Sequence, residues 1–277
     1  TNVVHSTIHE EPIISYHAHS LRYVLEFEID KPEKAFDPIG YANIFLDSLR
    51  ILKKGNVNFG SFYQFHPDDW ISGKRPADHE PNITHGKKMD LNETDEIGLK
   101  SLFSELKKIN ESGKCQNHTS FDKECKPCGK KFEKIRYLKF AIRRFQYIFR
   151  QSEIEDNITD LMISMEAMLN NEKFEIRDKT SRRAGFFLEE SGQKRIECRD
   201  FIRKCYDIRS EIVHAKKRET KIKEDECDLT DSEIQNKLEQ YVRKSIKKIL
   251  KLQNEYGSQE QILAKIENSI IDGNQSI

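Results

Sequence analysis

The chain has 277 residues, and its 47 Lys and Arg are balanced by 47 Asp and Glu, which gives a formal net charge of zero. Only 36% of the residues are hydrophobic, 34% are charged, and Gly and Pro number 12 and 7. This composition excludes collagenous and low-complexity chains, and a neutral chain is not expected to coat nucleic acid through bulk charge. No apolar run approaches the ~18 residues that a membrane helix needs, and the first residues lack the apolar core of a signal peptide.

The cysteine pattern indicates a reducing compartment. Three of the six cysteines cluster at 115–128, and the other three are scattered among helix-like segments. A small secreted protein would instead show a framework of paired cysteines. We therefore expect a cytoplasmic protein that does not associate with membranes.

The N-terminal part has mixed periodicity. Alternating apolar residues predict a strand over 21–29, helical spacing predicts a helix over 39–52, and an aromatic-rich stretch predicts a second strand over 57–65. The periodicity disappears over 71–94, where we expect a polar loop or linker. We assign 1–95 to a small N-terminal recognition domain built on a strand–helix–strand unit.

The C-terminal part is predicted to be helical throughout. Segment 96–134 carries one helix and a Cys/His loop, and 135–277 shows repeated amphipathic helical spacing typical of a bundle of four or five helices. The fold class is therefore α+β, with a small strand–helix–strand domain followed by an all-α bundle. A Met-rich stripe is expected to be core: Ile154, Ile158, Leu161, Met162, Met165, Met168 and Leu169.

Several helix ends are predicted from local signals. Ser152 with Glu155, and Thr230 with Glu233, have the spacing of capping boxes that begin helices. A shorter helix is predicted from about Ser181 to Gly192, where glycine would end it.

The stretch CYDIRSEIVHAKK carries the most chemistry. Ser210 and His214 are four residues apart, so their side chains share one face of a helix. Arg209 lies about 140° round the helix from His214, and its long side chain can swing toward the same edge. The basic residues that follow are Lys216 and Lys217.

Such an edge suits RNA cleavage by the RNA's own 2′-hydroxyl. A histidine can take the proton, an arginine can stabilise the negative charge on the phosphorane, and Ser210 can position either partner. No metal or other cofactor is needed for this chemistry. The alternative is a surface arginine and a surface histidine near a helix end, where the helix dipole favours a charged imidazole.

The bundle resembles the Apea-like branch of the HEPN domain family over residues 130–255. Four stretches carry the resemblance, in order: DLMISMEAMLN with Glu166, IRDKTSRRAGFFLE with Arg183, then YDIRS, then IVH. RSEIVH fits the family signature of an arginine, four to six residues and a histidine. The chain departs from the family in having Ala215 where many members have glycine, and Ser210 where many ribonucleases have Asn, Asp or His.

The resemblance implies a metal-independent endoribonuclease that acts as a homodimer on RNA. His214 would be the proton acceptor, Arg209 would stabilise the phosphorane and Ser210 would assist. Many members serve in phage defence or toxin–antitoxin systems, which implies an antitoxin or regulatory partner, whereas others are non-catalytic modules that bind a nucleotide, RNA or a protein. Glu166 and Arg183 would either form a structural ion pair or touch RNA.

A second cluster of chemical groups lies in KCQNHTSFDKECKPCGKKF. Its two pairs of metal-binding residues are each separated by two residues, a spacing that suits a closed structural zinc site. The alternatives are an inert group of thiols or a disulfide. The predicted zinc ligands are Cys115, His118, Cys125 and Cys128.

The region 114–150 is strongly basic. It holds eleven Lys and Arg against three acidic residues, a net charge of +8, with aromatic residues interleaved. Such a face, including Arg143 and Arg144, can guide an RNA backbone. The alternative is the charged exterior of a helix whose aromatic residues are core.

Overall fold

The protein is mostly helical in the computed structural model, with a minor β component, which confirms the predicted mixture of helices and a few strands at that level. The structure describes residues 6–11, 22–27, 38–55, 57, 61–66, 69–76, 89, 91–111, 124–125, 130–131, 133–224 and 226–273. Within these ranges no helix combines the length and the apolar character required to cross a membrane.

The described strands pair two by two in antiparallel sheets. The longer pairs are β1 (Ser6–Glu11) with β2 (Arg22–Phe27), and β3 (Ser61–His66) with β4 (Asp69–Pro76). The short pairs are β5 (Glu124–Cys125) with β6 (Lys130–Lys131), and β7 (Lys223–Glu224) with β8 (Cys227–Asp228).

The predicted order of strand, helix and strand is present as β2, the first helix and β3, but these two strands do not pair with each other. β2 and β3 flank the first helix in sequence, but each pairs with its own neighbour, with Ser6 opposite Phe27 in one hairpin and Ser61 opposite Pro76 in the other. β4 also occupies part of the stretch predicted as a linker. Short antiparallel hairpins need only local pairing, so the intervening helix does not have to act as a crossover.

Eight α-helices are described. They are α1 (Pro38–Leu52), α2 (Glu93–Glu111), α3 (Arg136–Tyr147), α4 (Ile154–Leu169), α5 (Ile176–Leu188), α6 (Gly192–Val213), α7 (Asp231–Tyr256) and α8 (Gln259–Asp272). Six of them lie in 135–277, so the bundle holds more helices than the four or five predicted.

The predicted helix ends had mixed outcomes. The capping box of Thr230 and Glu233 is present at the start of α7 and is confirmed. The box predicted at Ser152 is wrong, because Glu153 is the N-cap of α4 and no side chain caps it. The helix end predicted at Gly192 is also wrong, since Gly192 is the first residue of α6 and the Ser191 side chain accepts from the Lys194 N–H.

Helix α4 is the centre of the core. Its apolar stripe is buried as predicted from Ile158 to Leu169, whereas Ile154 in the first turn is exposed. α4 packs against α3, α5, α6 and α7, so it is covered on nearly every side. Thus the methionines of α4 are core residues, and the helices around α4 determine which of its polar side chains stay accessible.

Helix α1 also belongs to this core, although it was assigned to a separate N-terminal domain. Arg50 is only 2% exposed, and its Nη1 donates to Oε1 of Gln146 on α3 at 2.7 Å. From α7, Arg243 donates to the Arg50 carbonyl at 2.8 Å and Lys247 to the Leu52 carbonyl at 2.6 Å. Two cations therefore hold the last carbonyls of α1, which have no partners within the helix itself.

One buried arginine joins α4, α5 and α8. Arg183 on α5 is 4% exposed, and its guanidinium donates to the Leu169 carbonyl at 2.9 Å, to Glu172 at 2.8 Å and to Glu267 at 2.6 Å. Its five N–H donors allow one side chain to serve all three acceptors. The end of α4, the loop that follows it and α8 are thereby fixed against α5.

We predict that Arg183→Met lowers the free energy of unfolding by about 3–5 kcal/mol, because it leaves two carboxylates and a carbonyl without their buried partner. Denaturant unfolding followed by circular dichroism measures the change. Arg177→Met on the same helix is the matched control, because the Arg177–Asp207 ion pair is partly exposed and its loss should cost about 1 kcal/mol or less. Equal losses in the two variants would contradict this role for Arg183.

Candidate active site

The candidate site lies at the C-terminal end of α6. His214 is the C-cap; beyond it the Ala215 N–H donates to the Ile212 carbonyl at 3.0 Å, and the Lys216 N–H donates to the Glu211 carbonyl at 2.9 Å. These two bonds form a Schellman motif, whose C′ residue adopts the left-handed conformation. Ala215 occupies that position with a φ of 48°, which explains why glycine would suit the residue after His214.

Arg209 leans toward the bundle rather than toward solvent. It is half-buried. Burial raises the pKa of the Glu166 carboxyl on α4, and the nearby charge of Arg209 offsets part of that rise. The guanidinium carbon is also 5.9 Å from the centre of the Tyr206 ring. Arg209 and Glu166, which the sequence analysis treated separately, therefore form one electrostatic pair.

This pair is not closed by hydrogen bonds. Nε of Arg209 and Oε1 of Glu166 are both buried, and neither has a hydrogen-bond partner among the described residues. A buried polar atom without a hydrogen-bond partner costs free energy. A further polar group can therefore bind here, by accepting from the Arg209 N–H or by donating to the Glu166 oxygen. The structural ion pair expected between Glu166 and Arg183 is absent from the described contacts, because Arg183 is bound to Glu172 and Glu267.

Ser210 and His214 lie on the outer side of α6. Ser210 is half-buried and His214 is exposed, and the His214 N–H donates to the Ser210 carbonyl at 3.1 Å. Arg209 lies about 140° round the helix from His214. The side chains of these two residues are therefore not hydrogen-bonded to each other. Val213, directly before His214, is 51% exposed beside this edge.

The loop after His214 is held by one carboxylate. Glu211 accepts hydrogen bonds from the Thr220 hydroxyl at 2.7 Å and from the Thr220 and Glu219 N–H groups. Burial raises the pKa of the Glu211 carboxyl, but these hydrogen bonds together lower it by more, so that the pKa is below its ordinary value. Lys216 and Lys217 are exposed in this loop. Their charges offset the negative end of the α6 dipole, which would otherwise repel an anion.

The other basic residues predicted to touch RNA are placed differently. Arg183 is buried and fully engaged, so it is built into the scaffold. Arg144 forms an ion pair with Asp160 at 2.8 Å, and its guanidinium lies over the rings of Phe140 and Tyr147. Arg143 is exposed on α3. Of these three arginines, Arg143 has the placement expected of a residue that contacts the RNA backbone.

The predicted zinc site falls mostly outside the described residues. Cys115, His118 and Cys128 are not described, and Cys125 is described only through the backbone of β5. Among the described side chains, no group of three or more His, Cys, Asp or Glu is arranged to hold a metal ion. The structural zinc site therefore stays a prediction.

One exposed aromatic residue near the site was missed from the sequence. Phe174, in the loop between α4 and α5, is 80% exposed. Its neighbours Asn171, Glu172, Lys173 and Glu175 are exposed and polar, so the ring stands apart from any apolar stripe. The signal available in the sequence was an aromatic residue within the charged run NEKFE, between two amphipathic helices.

We predict that Ala215→Gly stabilises the protein by about 1 kcal/mol, because glycine adopts a positive φ without the steric cost that an alanine Cβ meets. Denaturant unfolding compares the variant with the wild type. Ala264→Gly is the matched control: it lies exposed within α8, where glycine should instead cost about 1 kcal/mol. Destabilisation in both variants would show that position 215 is not strained.

We predict that Glu166→Gln removes a pH dependence from the stability. The pKa of Glu166 is raised in the folded protein, so the folded state holds this proton more tightly than the unfolded state. The resulting stability is complete below the ordinary pKa near 4.5 and is lost as pH rises through the folded pKa. Unfolding free energies measured from about pH 4 to about pH 8 should fall less steeply in the variant; parallel curves would contradict the prediction.

Comparisons with models of known protein families, with curated proteins and with solved structures found no significant match. Any function assigned to this chain therefore rests on its own residues and on their arrangement.

Proposed function

We propose that this chain is a metal-independent endoribonuclease of HEPN type that acts as a homodimer. The observation that carries the proposal is the end of α6, where Arg209 lies beside Glu166 and the exposed His214 follows within two turns. The order of motifs, with Glu166 on α4, Arg183 on α5 and RSEIVH at the end of α6, supports the resemblance to that family.

The proposed reaction uses the RNA's own 2′-hydroxyl. His214 takes the 2′ proton, the 2′ oxygen forms a bond to the adjacent phosphorus, and the bond from phosphorus to the 5′ oxygen breaks. Arg209 stabilises the negative charge on the phosphorane through its planar guanidinium. The products are a 2′,3′-cyclic phosphate and a 5′-hydroxyl, after the departing oxygen takes a proton.

The directions of the two side chains favour a dimeric site. Within one chain Arg209 leans toward α4 while His214 faces solvent, so one phosphate does not meet both groups directly. A second copy related by a two-fold axis would place its own Arg209 and His214 opposite this edge. The imidazolium of the facing copy can then protonate the 5′ oxygen.

Positive charge around the edge supports RNA as the substrate. Lys216 and Lys217 are exposed directly after His214, and Arg143 is exposed on α3. The predicted zinc loop and the basic region 114–150 would add an RNA-guiding surface. An antitoxin-like or regulatory partner would act by covering this same edge.

The test is cleavage of labelled single-stranded RNA by the purified protein in EDTA. We expect cleavage by the wild type and a loss of at least about a hundredfold in both His214→Ala and Arg209→Ala, because each removes a group needed in the transition state. Arg203→Ala is the matched control: Arg203 is exposed on the same helix and pairs with Asp178 at 3.8 Å. It should cleave like the wild type.

The products and the assembly state sharpen the test. Cleavage should leave a 2′,3′-cyclic phosphate and should stop when the 2′-hydroxyl at the cut is replaced by hydrogen. Failure of the wild type to cut several RNA types would favour the alternative, a non-catalytic module that binds a nucleotide, RNA or a protein. A wild-type protein that cleaves as a monomer would refute the dimeric site.

A further inference from the structure

We propose that Phe174 is a stacking platform for a base of single-stranded RNA at the candidate site. The inference rests on the proposed function for its ligand class. Phe174 is 80% exposed, the highest exposed fraction among the large hydrophobic side chains in the described part of the chain, and an aromatic ring gains strongly when a ligand buries it. Three further observations concern the place, the rigidity and the surroundings of this ring.

The first observation is its place. The loop that carries Phe174 begins one turn after Glu166, because the Asn170 N–H that ends α4 donates to the Glu166 carbonyl at 2.9 Å. The loop leads into α5, whose first turn is held to α6 by the Arg177–Asp207 ion pair at 2.7 Å. One end of the loop therefore lies a turn from Glu166, the residue beside Arg209, and the other end is fixed to Asp207 on α6.

Asp207 also lies on the same side of α6 as the predicted catalytic edge. Asp207, Ser210 and His214 follow at spacings of three and four residues, which places them along one stripe of the helix. The beginning of α5 thus borders the stripe that ends at His214, about two turns away or some 10 Å along the helix axis.

The second observation is that the loop is rigidly held. The Glu172 carboxylate is bound by Arg183 at 2.8 Å and by Lys179, and the Asn170 side chain donates to the Glu172 carbonyl at 2.8 Å. From the start of α8, Gln259 donates to the Asn170 carbonyl at 3.2 Å. A ring presented from a fixed loop loses little conformational freedom when a ligand stacks on it.

The backbone next to the ring is strained. Glu175, the N-cap of α5, has a φ of 57° in the left-handed region and has no side-chain capping bond. A residue other than glycine in this region costs about 1–2 kcal/mol, and such conformations cluster at ligand sites. The Lys179 N–H donates to the Glu175 carbonyl at 2.9 Å, which is the first backbone hydrogen bond of α5.

The third observation is the chemistry of the surroundings, which fits a base better than a protein surface. The residues next to Phe174 in the described loop are polar and exposed, so this loop offers a single apolar side chain to a partner, whereas the core of a protein interface needs several. One ring instead matches the area of one base. The carboxylates of Glu172 and Glu175 are offset by Lys179 and Arg183, while Lys173 is an exposed cation beside the ring. Phe174 is thus a single exposed ring between the Lys173 cation and the Glu175 carboxylate, and exposed aromatic rings are the stacking element of single-stranded nucleic acid sites.

The test measures binding of a fluorescent single-stranded RNA of about 12 nucleotides, 2′-O-methylated throughout so that it cannot be cut. We expect Phe174→Ala to weaken binding about tenfold, and Phe174→Tyr to bind within about twofold of the wild type. Phe174→Leu should bind as weakly as Phe174→Ala, because leucine keeps the apolar character but has no aromatic face. The dependence of binding on salt should be the same in all four proteins, since no phosphate contact is removed.

Two controls separate stacking from other roles. Ile271→Ala removes an equally exposed apolar side chain on α8 and should leave binding unchanged. The second control is a series of RNAs that each lack one base. One of them should bind the wild type as weakly as the intact RNA binds Phe174→Ala. That same RNA should bind Phe174→Ala no more weakly than the intact RNA does.

Several outcomes would overturn the inference. Wild-type binding by Phe174→Ala would do so, as would equal binding by the leucine and tyrosine variants. A change from dimer to monomer in Phe174→Ala, measured by sedimentation, would assign the ring to a contact between two copies instead. The two proposals fail in different assays. The proposed function fails if unmodified RNA is not cleaved in EDTA, whereas stacking is tested by binding of an RNA that cannot be cut.

Discussion

The arrangement of the bundle depends on one buried cation. Arg183 binds a helix-terminal carbonyl and two carboxylates, so the end of α4, the following loop and α8 keep a single position relative to α5. Apolar contacts alone would tolerate small shifts of these helices, whereas a guanidinium with three fixed acceptors does not. The placement of Phe174 and of the first turn of α5 follows from this constraint.

Three unfavourable local features lie at or near the ends of α4, α5 and α6. Ala215 and Glu175 both have left-handed backbone conformations, and the Glu166 carboxyl is desolvated against a guanidinium that does not hydrogen-bond it. Each feature costs stability, and none is required to form the helices. Strained residues are common at functional sites, although Glu226, between β7 and β8, has a left-handed backbone as well.

The parts of the fold that could be predicted from the sequence are those that depend on local pattern. The buried stripe of α4 and the capping box of Thr230 follow from spacing alone, and both are confirmed. Gly192 was misjudged because glycine is common at both ends of helices, and the serine before it, which caps α6, decides between them. The ends of helices are the least reliable element of such a prediction.

The candidate site could be predicted as a motif but not as a surface. Spacing places Ser210 and His214 on one face, yet it does not reveal that Arg209 faces Glu166, because that contact depends on how α4 and α6 cross. Phe174 was missed for a related reason: an aromatic residue outside a periodic pattern can be buried or exposed, and only the tertiary structure decides.

The docking of α1 has a consequence for the order of folding. The pairs α3–α4, α5–α6 and α7–α8 join helices that are neighbours in sequence, so they close short loops and can form early. The bonds from Arg243 and Lys247 to α1 instead join residues 193 and 195 positions apart. Closing so long a loop costs entropy before the contact can form. During synthesis α1 therefore precedes its partners on α7, and these two bonds can form only after α7 has been made.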